Sequence, residues 1–105
     1  MTDSKPNPLE IDVERDDANA TITVTGEIDL ETSAALHDAL TGVYDCAAVH
    51  LDLSKVEYMD STGLRTVLVA KGEVERARGT LDVVAASSIV SRLIQITGID
   101  GLIVG

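Results

Sequence analysis

Along this chain the spacing of apolar residues switches repeatedly between two periods, and that switching limits the fold more than any other feature. Leu9, Ile11 and Val13 alternate with Glu10, Asp12 and Glu14. After a polar break from Asp16 to Asn19 the alternation resumes at Ile22 and Val24, among threonines, and stops at Gly26. Period two on both sides of a turn predicts a β-hairpin. From Glu31 the period is helical: Leu36, Ala39, Leu40 and Val43 share one face, and Gly42 is a C-cap candidate. Val49, Leu51 and Leu53 predict a strand over 48–53, and Leu64, Val67, Leu68 and Val74 a longer helix that closes at Gly79. Gly72 inside that helix costs about 1 kcal/mol relative to Ala and is the weak point of its continuity. Leu81 to Ala85 reads as another strand. Ser87 or Ser88 can cap a helix carrying Val90, Leu93 and Ile94 that stops at Gly98, and Leu102 to Val104 forms a last short strand.

The order ββαβαβαβ fixes the class. Each strand, helix, strand unit prefers a right-handed crossover between parallel strands, so the expectation is a small α/β domain. Its sheet is mixed but mostly parallel, with an antiparallel N-terminal strand and helices packed on it. Met1 to Pro8, with two prolines in three residues, is expected to be a flexible lead, and 9–105 a single domain. A chain of 105 residues can bury roughly 65% of its unfolded surface and needs no staple. Its one cysteine, Cys46, has no partner for an internal disulfide and suits a reducing compartment. No stretch approaches the ~20 apolar residues of a membrane span, and the first ten residues do not resemble a signal peptide, so the expected location is the cytoplasm.

Charge removes further classes. Eighteen acids against eight bases give a net charge of −10. The excess is uneven: residues 1–60 hold fourteen acids and three bases, residues 61–105 four acids and five bases. Such a surface repels phosphate backbones, and with no Trp, no Phe and two Tyr there is little for bases to stack on. Nucleic acid and anionic membranes are therefore not expected partners. The acids keep a small protein soluble and could also steer it toward a basic protein surface.

Sites in open α/β sheets lie outside the carboxyl ends of the strands. Two loops there are polar: Gly26 to Glu31, and Val56 to Leu64. In the second, Asp60, Ser61 and Thr62 are all N-cap types, though a helix needs one cap. They could share capping and turn duties, or a surplus hydroxyl could be exposed for modification. A phosphate there would meet unpaired N–H groups and the positive end of the helix. Catalysis has little support. Ser61 or Cys46 as nucleophile would need His37 or His50 as base, yet neither G-x-S-x-G nor a Cys/His signature is present. Asp60-Ser61-Thr62-Gly63 has one residue too many for the Asp-Ser/Thr-Gly of aspartic proteases. No glycine-rich nucleotide fingerprint and no Cys/His metal spacing occurs, so neither a cofactor nor a metal is expected.

The segment Asp52-Leu53-Ser54-Lys55-Val56-Glu57-Tyr58-Met59-Asp60-Ser61-Thr62-Gly63-Leu64, together with Thr25-Gly26-Glu27-Ile28-Asp29 upstream, resembles the STAS domains of bacterial anti-sigma factor antagonists. The tail Arg92-Leu93-Ile94-Gln95-Ile96-Thr97-Gly98-Ile99-Asp100 is similar as well, so the likeness runs from about the first strand to the C-terminus. The resemblance implies a cytoplasmic, stress-linked regulator of transcription that works by partner switching. Its partner would be an anti-sigma factor that is also a serine kinase and supplies ATP and Mg²⁺, with a separate serine phosphatase to reset it; the protein alone would be a monomer. By the same resemblance Ser61 is the phosphorylated residue. Asp29, Asp60, Ser61, Thr62, Gly63, Leu64 and Arg65 would form the partner-binding surface. Arg65 departs from the pattern, since many members have Gly there, and it would place a cation near the phosphate. Relatives also usually continue into another helix after the last strand, whose absence would leave part of the sheet less covered or invite a partner. A STAS module of a scaffold or transporter-associated complex would share the fold, and could share Ser61, without serving a sigma factor.

Overall fold

In the computed structural model, which describes residues 9–97, the chain forms β1 (Leu9–Asp16), β2 (Asn19–Ile28), α1 (Ser33–Thr41), β3 (Ala48–Met59), α2 (Ser61–Arg76), β4 (Thr80–Ala86) and α3 (Ser88–Thr97). The expected lead over 1–8, the stop at Gly98 and the strand at Leu102 to Val104 lie outside the described residues. The four strands form one sheet in the order β1-β2-β3-β4; β1 is antiparallel to β2, and β2, β3 and β4 are parallel. The class and topology are those expected from the apolar periods.

The hairpin pairs Ile11 with Val24 and Val13 with Ile22, across a turn in which Asp17 takes φ 59. Asp tolerates this left-handed conformation better than most residues because its short side chain can bond locally. In the parallel part Ala20 lies beside Val49 and Leu81, and Ile22 beside Leu51 and Val83, so these residues share one face. That face is buried with Leu36 and Leu40 of α1, Leu64, Val67, Ala70 and Val74 of α2, and Val90 and Ile94 of α3 in one apolar core. The other face carries Glu10, Asp12, Glu14, Thr21, Thr23, His50 and Asp82, which are half-buried or exposed. On β1, a strand at the sheet edge, such charges also discourage pairing with a stray strand.

The strand ends depart from expectation. β3 continues past Leu53 to Met59, and β2 past Gly26 to Ile28. Register shifts place an extra β3 residue between Asp52 and Lys55, and another between Val56 and Tyr58. Each bulge sets two exposed residues side by side, so Leu53, Val56 and Met59 are buried every third position and the alternation that marks a strand disappears. The first bulge is held by Asp52, whose Oδ1 accepts from the Ser54 amide (2.9 Å) and hydroxyl (2.7 Å). At the second bulge Gly26, the partner of Val56, has φ 111, a value that residues other than glycine rarely adopt.

α2 runs unbroken through Gly72, which faces open space. It ends at Arg76 rather than Gly79, and the left-handed position is taken by Arg78 (φ 72). Gly79 is required for another reason: a Cβ there would collide with the Cys46 carbonyl oxygen. Ser87 caps α3, its Oγ accepting from the Val90 amide at 3.4 Å. None of the described helices is long and apolar enough to cross a membrane.

Candidate functional site

The last pair of the β2–β3 ladder, Ile28 with Met59, delivers Asp29 and Asp60 side by side at the carboxyl end of the sheet. The Asp60 amide donates to the Ile28 carbonyl at 3.2 Å, tying the two loops together. A shallow depression of about 350 Å³ lies between them, lined by Asp29, Leu30, Glu31 and Asp60. So the two polar loops do converge, although most of the second loop is strand up to Met59.

Asp60 is the N-cap of α2. Its Oδ1 accepts from the Thr62 amide (2.9 Å) and the Gly63 amide (3.1 Å), while its carbonyl accepts from Leu64. Of the N–H groups expected to greet a phosphate, those of Thr62, Gly63 and Leu64 are therefore already engaged. Ser61, the first residue of the helix, is exposed, and its hydroxyl has no hydrogen-bond partner among the described residues. Thr62 is half-buried. Gly63 is buried: a Cβ would stand 2.5 Å from Ile28 Cγ2 and 3.1 Å from Met59 Cγ, so only glycine lets α2 start this close to the strand ends. Leu64 is buried in the core, and Arg65 is exposed one turn beyond Ser61. The expected surface thus divides into Asp60, Ser61, Thr62 and Arg65, which can be reached from solvent, and Gly63 and Leu64, which pack beneath them.

Asp29 organises the other loop. Its Oδ1 accepts from the Glu31 and Thr32 amides, each at 3.0 Å, and its own amide donates to Thr32 Oγ1 at 2.9 Å. This reciprocal arrangement resembles a capping box. It caps the turn that feeds α1, which begins four residues later at Ser33, rather than the helix itself. Thr32 Oγ1 also donates to the Glu27 carbonyl at 2.8 Å. The turn is thereby fixed with Leu30 77% exposed, while Tyr58, paired with Glu27 near the end of β3, is 47% exposed. Neither residue stands out in the sequence as a site residue. The available signal is an apolar Leu30 flanked by Asp29 and Glu31, in a loop where nothing buries it.

The residues that a nucleophilic mechanism would need are not assembled. Cys46 is buried, and His50 lies near the start of β3, roughly 30 Å of strand from Asp60. His37 faces Asp38 at 3.7 Å on α1. Among the described residues no group of three or more His, Cys, Asp or Glu is placed to hold a metal. What remains is an exposed hydroxyl at the start of α2, directly after Asp60 of the depression that Asp29, Leu30 and Glu31 also line. Its shape is shallow and open, suited to another protein's surface rather than to a buried small molecule.

Comparison with known proteins supports the same assignment. The family model described as "Mlab, STAS domain" matches residues 11–105. The chain is 35% identical over 99 residues to the anti-sigma-F factor antagonist RsfB of Mycobacterium tuberculosis, covering 92% of this chain and 80% of that protein. It is 35% identical over 92 residues to an anti-sigma-B factor antagonist of Listeria monocytogenes, covering 86% and 81%. The crystal structure of an anti-sigma factor antagonist from Mycobacterium paratuberculosis superposes with a TM-score of 0.81 at 32% identity, over 95% of this chain and 86% of that one.

Proposed function

Because the chain belongs to the STAS-domain family of anti-sigma factor antagonists, we propose that it switches partners through Ser61. Unphosphorylated, it binds an anti-sigma factor that is also a serine kinase and so frees a sigma factor. Phosphorylation of Ser61 by that kinase releases it, and a serine phosphatase restores the binding form. The kinase supplies ATP and Mg²⁺. The encounter takes place in the cytoplasm, where this protein is a monomer until it meets its partner.

One observation carries the reading: the exposed Ser61 hydroxyl, without a partner among the described residues, sits at the meeting point of the two strand ends. Leu30 and Tyr58 add exposed apolar surface on the two segments that converge there, Asp60, Thr62 and Arg65 are Ser61's near neighbours in sequence, and Asp29 stands across the strand ends. Gly63 and Leu64 contribute by holding this surface in place. Aromatic and large apolar residues at the centre of a polar rim are the usual anchors of protein interfaces.

The test is incubation with the host's candidate anti-sigma kinases and ATP, followed by phosphopeptide mapping. Label on Ser61, abolished in Ser61→Ala, is the expected result. A pull-down from the native host should recover the kinase; recovery of a scaffold or transport complex with no anti-sigma factor would overturn the reading.

A further inference from the structure

α2 carries three cations, and two of them have acidic neighbours. Lys71 Nζ lies 3.0 Å from Glu75, and Arg76 lies 3.6 Å from Glu73. Arg65 has no ion pair with any described residue. The helix gives it none to make: the positions three and four residues away are Thr62, Ser61, Leu68 and Val69, and the first turn holds no acid. Side chains four apart on a helix are neighbours, with Cβ atoms about 5–6 Å apart. Two of the four carry hydroxyls that phosphorylation could charge, and of these Ser61 is exposed while Thr62 is half-buried.

We propose that Arg65 is the built-in counter-ion of phosphorylated Ser61, pairing with the phosphate across one helical turn. The proposal rests on phosphorylation at Ser61 as described above. Two features of the helix start favour a side-chain cation. The Thr62 and Gly63 amides, which would otherwise receive an anion, are already given to Asp60 Oδ1, and the Asp60 carboxylate itself repels a second charge next to it. The pairing also has the better polarity, because an acid placed N-terminal to a base at this spacing is more stabilising than the reverse. A guanidinium can meet two phosphate oxygens at once, which an ammonium cannot. Before phosphorylation Arg65 is free to face the partner; afterwards it is drawn back to its own helix, so one modification changes the surface at two residues.

The test installs phosphoserine at position 61 during synthesis, which makes it independent of any kinase. The phosphorus resonance is then titrated by NMR in the otherwise unchanged chain and in Arg65→Gln and Arg65→Lys. A neighbouring cation favours the dianion, so Arg65→Gln should raise the second ionisation of the phosphate by about 0.3 unit, the equivalent of one helical ion pair, and Arg65→Lys should recover part of it. Matching amide spectra of the unphosphorylated variants would establish that the helix start is intact. Superimposable titrations in the presence and absence of Arg65 would overturn the proposal. Failure of kinases to label Ser61 would instead count against the partner switch and leave this titration unaffected.

Discussion

Ser61 and Thr62 are adjacent hydroxyls of similar chemistry, yet the fold treats them differently. Ser61 is exposed at the helix start, whereas Thr62 is half-buried and its amide is held by Asp60. Ser61 is therefore the expected acceptor, and phosphopeptide mapping that found the label on Thr62 in the wild type would contradict this. Ser61→Asp carries about one charge where phosphate carries nearly two, so it should weaken partner binding less than true phosphorylation does, as titration calorimetry would show. At Asp29 the cap and the charge can be separated. An Asn oxygen can accept from the Glu31 and Thr32 amides as the carboxylate does, so Asp29→Asn should keep the turn but lose the charge offered to a partner. A loss of roughly fivefold in affinity is expected; unchanged affinity would show that the charge of Asp29 plays no part in binding. Gly63→Ala tests packing beneath the surface. The new methyl has no room between Ile28 and Met59, and denaturant unfolding should show a loss of about 1–3 kcal/mol.

Within α2 two substitutions should act in opposite directions. Asp60→Ala removes the side chain that accepts from Thr62 and Gly63 and should cost about 1 kcal/mol, while Gly72→Ala adds a methyl into open space and should gain about 0.4–1 kcal/mol. Both are read from the denaturant midpoint. The first bulge of β3 predicts a pH effect. Hydrogen bonds from the Ser54 hydroxyl and amide hold the Asp52 carboxyl below its ordinary value. Its stabilising contribution is complete above the unfolded value of about 3.9 and is lost as pH falls through the lower, folded value. Asp52→Asn should accordingly flatten the acid limb of the stability curve below about pH 4, and an unaltered limb would show that the bulge does not depend on the ionised group. The same bulges explain how far the sequence could be read. α1, α2, α3 and the hairpin each keep one apolar period and were legible to within a few residues. Val56 and Met59 return every third position after Leu53, a spacing that belongs to neither a plain strand nor a helix, so the second half of β3 looked like a loop. The capping position of Asp60 was legible because cap-type residues accumulate before α2, whereas Ser61 and Asp29 were singled out as site residues by the resemblance to STAS domains. Leu30 and Tyr58 were not legible, because their exposure follows from the folded strand ends and not from any apolar period.

For the molecule as a whole the account requires a switch without refolding. The carboxyl ends of β2 and β3 are joined by the Ile28–Asp60 hydrogen bond and packed on Gly63, so a charge added at Ser61 is borne by a rigid corner of the core. Amide shifts on phosphorylation should be confined to Tyr58 through Thr66 and Gly26 through Glu31; changes across the whole sheet would indicate a conformational mechanism. Acids concentrated in residues 1–60 should steer the protein toward a basic partner, making association slower as salt is added. In the complex, a phosphate at Ser61 must be desolvated beside Asp60 against a surface suited to a neutral hydroxyl, and even ~2.8 kcal/mol of that cost weakens binding about a hundredfold. The most direct measurement is the affinity of the anti-sigma kinase for this chain with and without phosphate on Ser61, made without ATP so that neither form changes during the titration. A loss of at least about a hundredfold on phosphorylation is predicted, and equal affinities of the two forms would contradict the account.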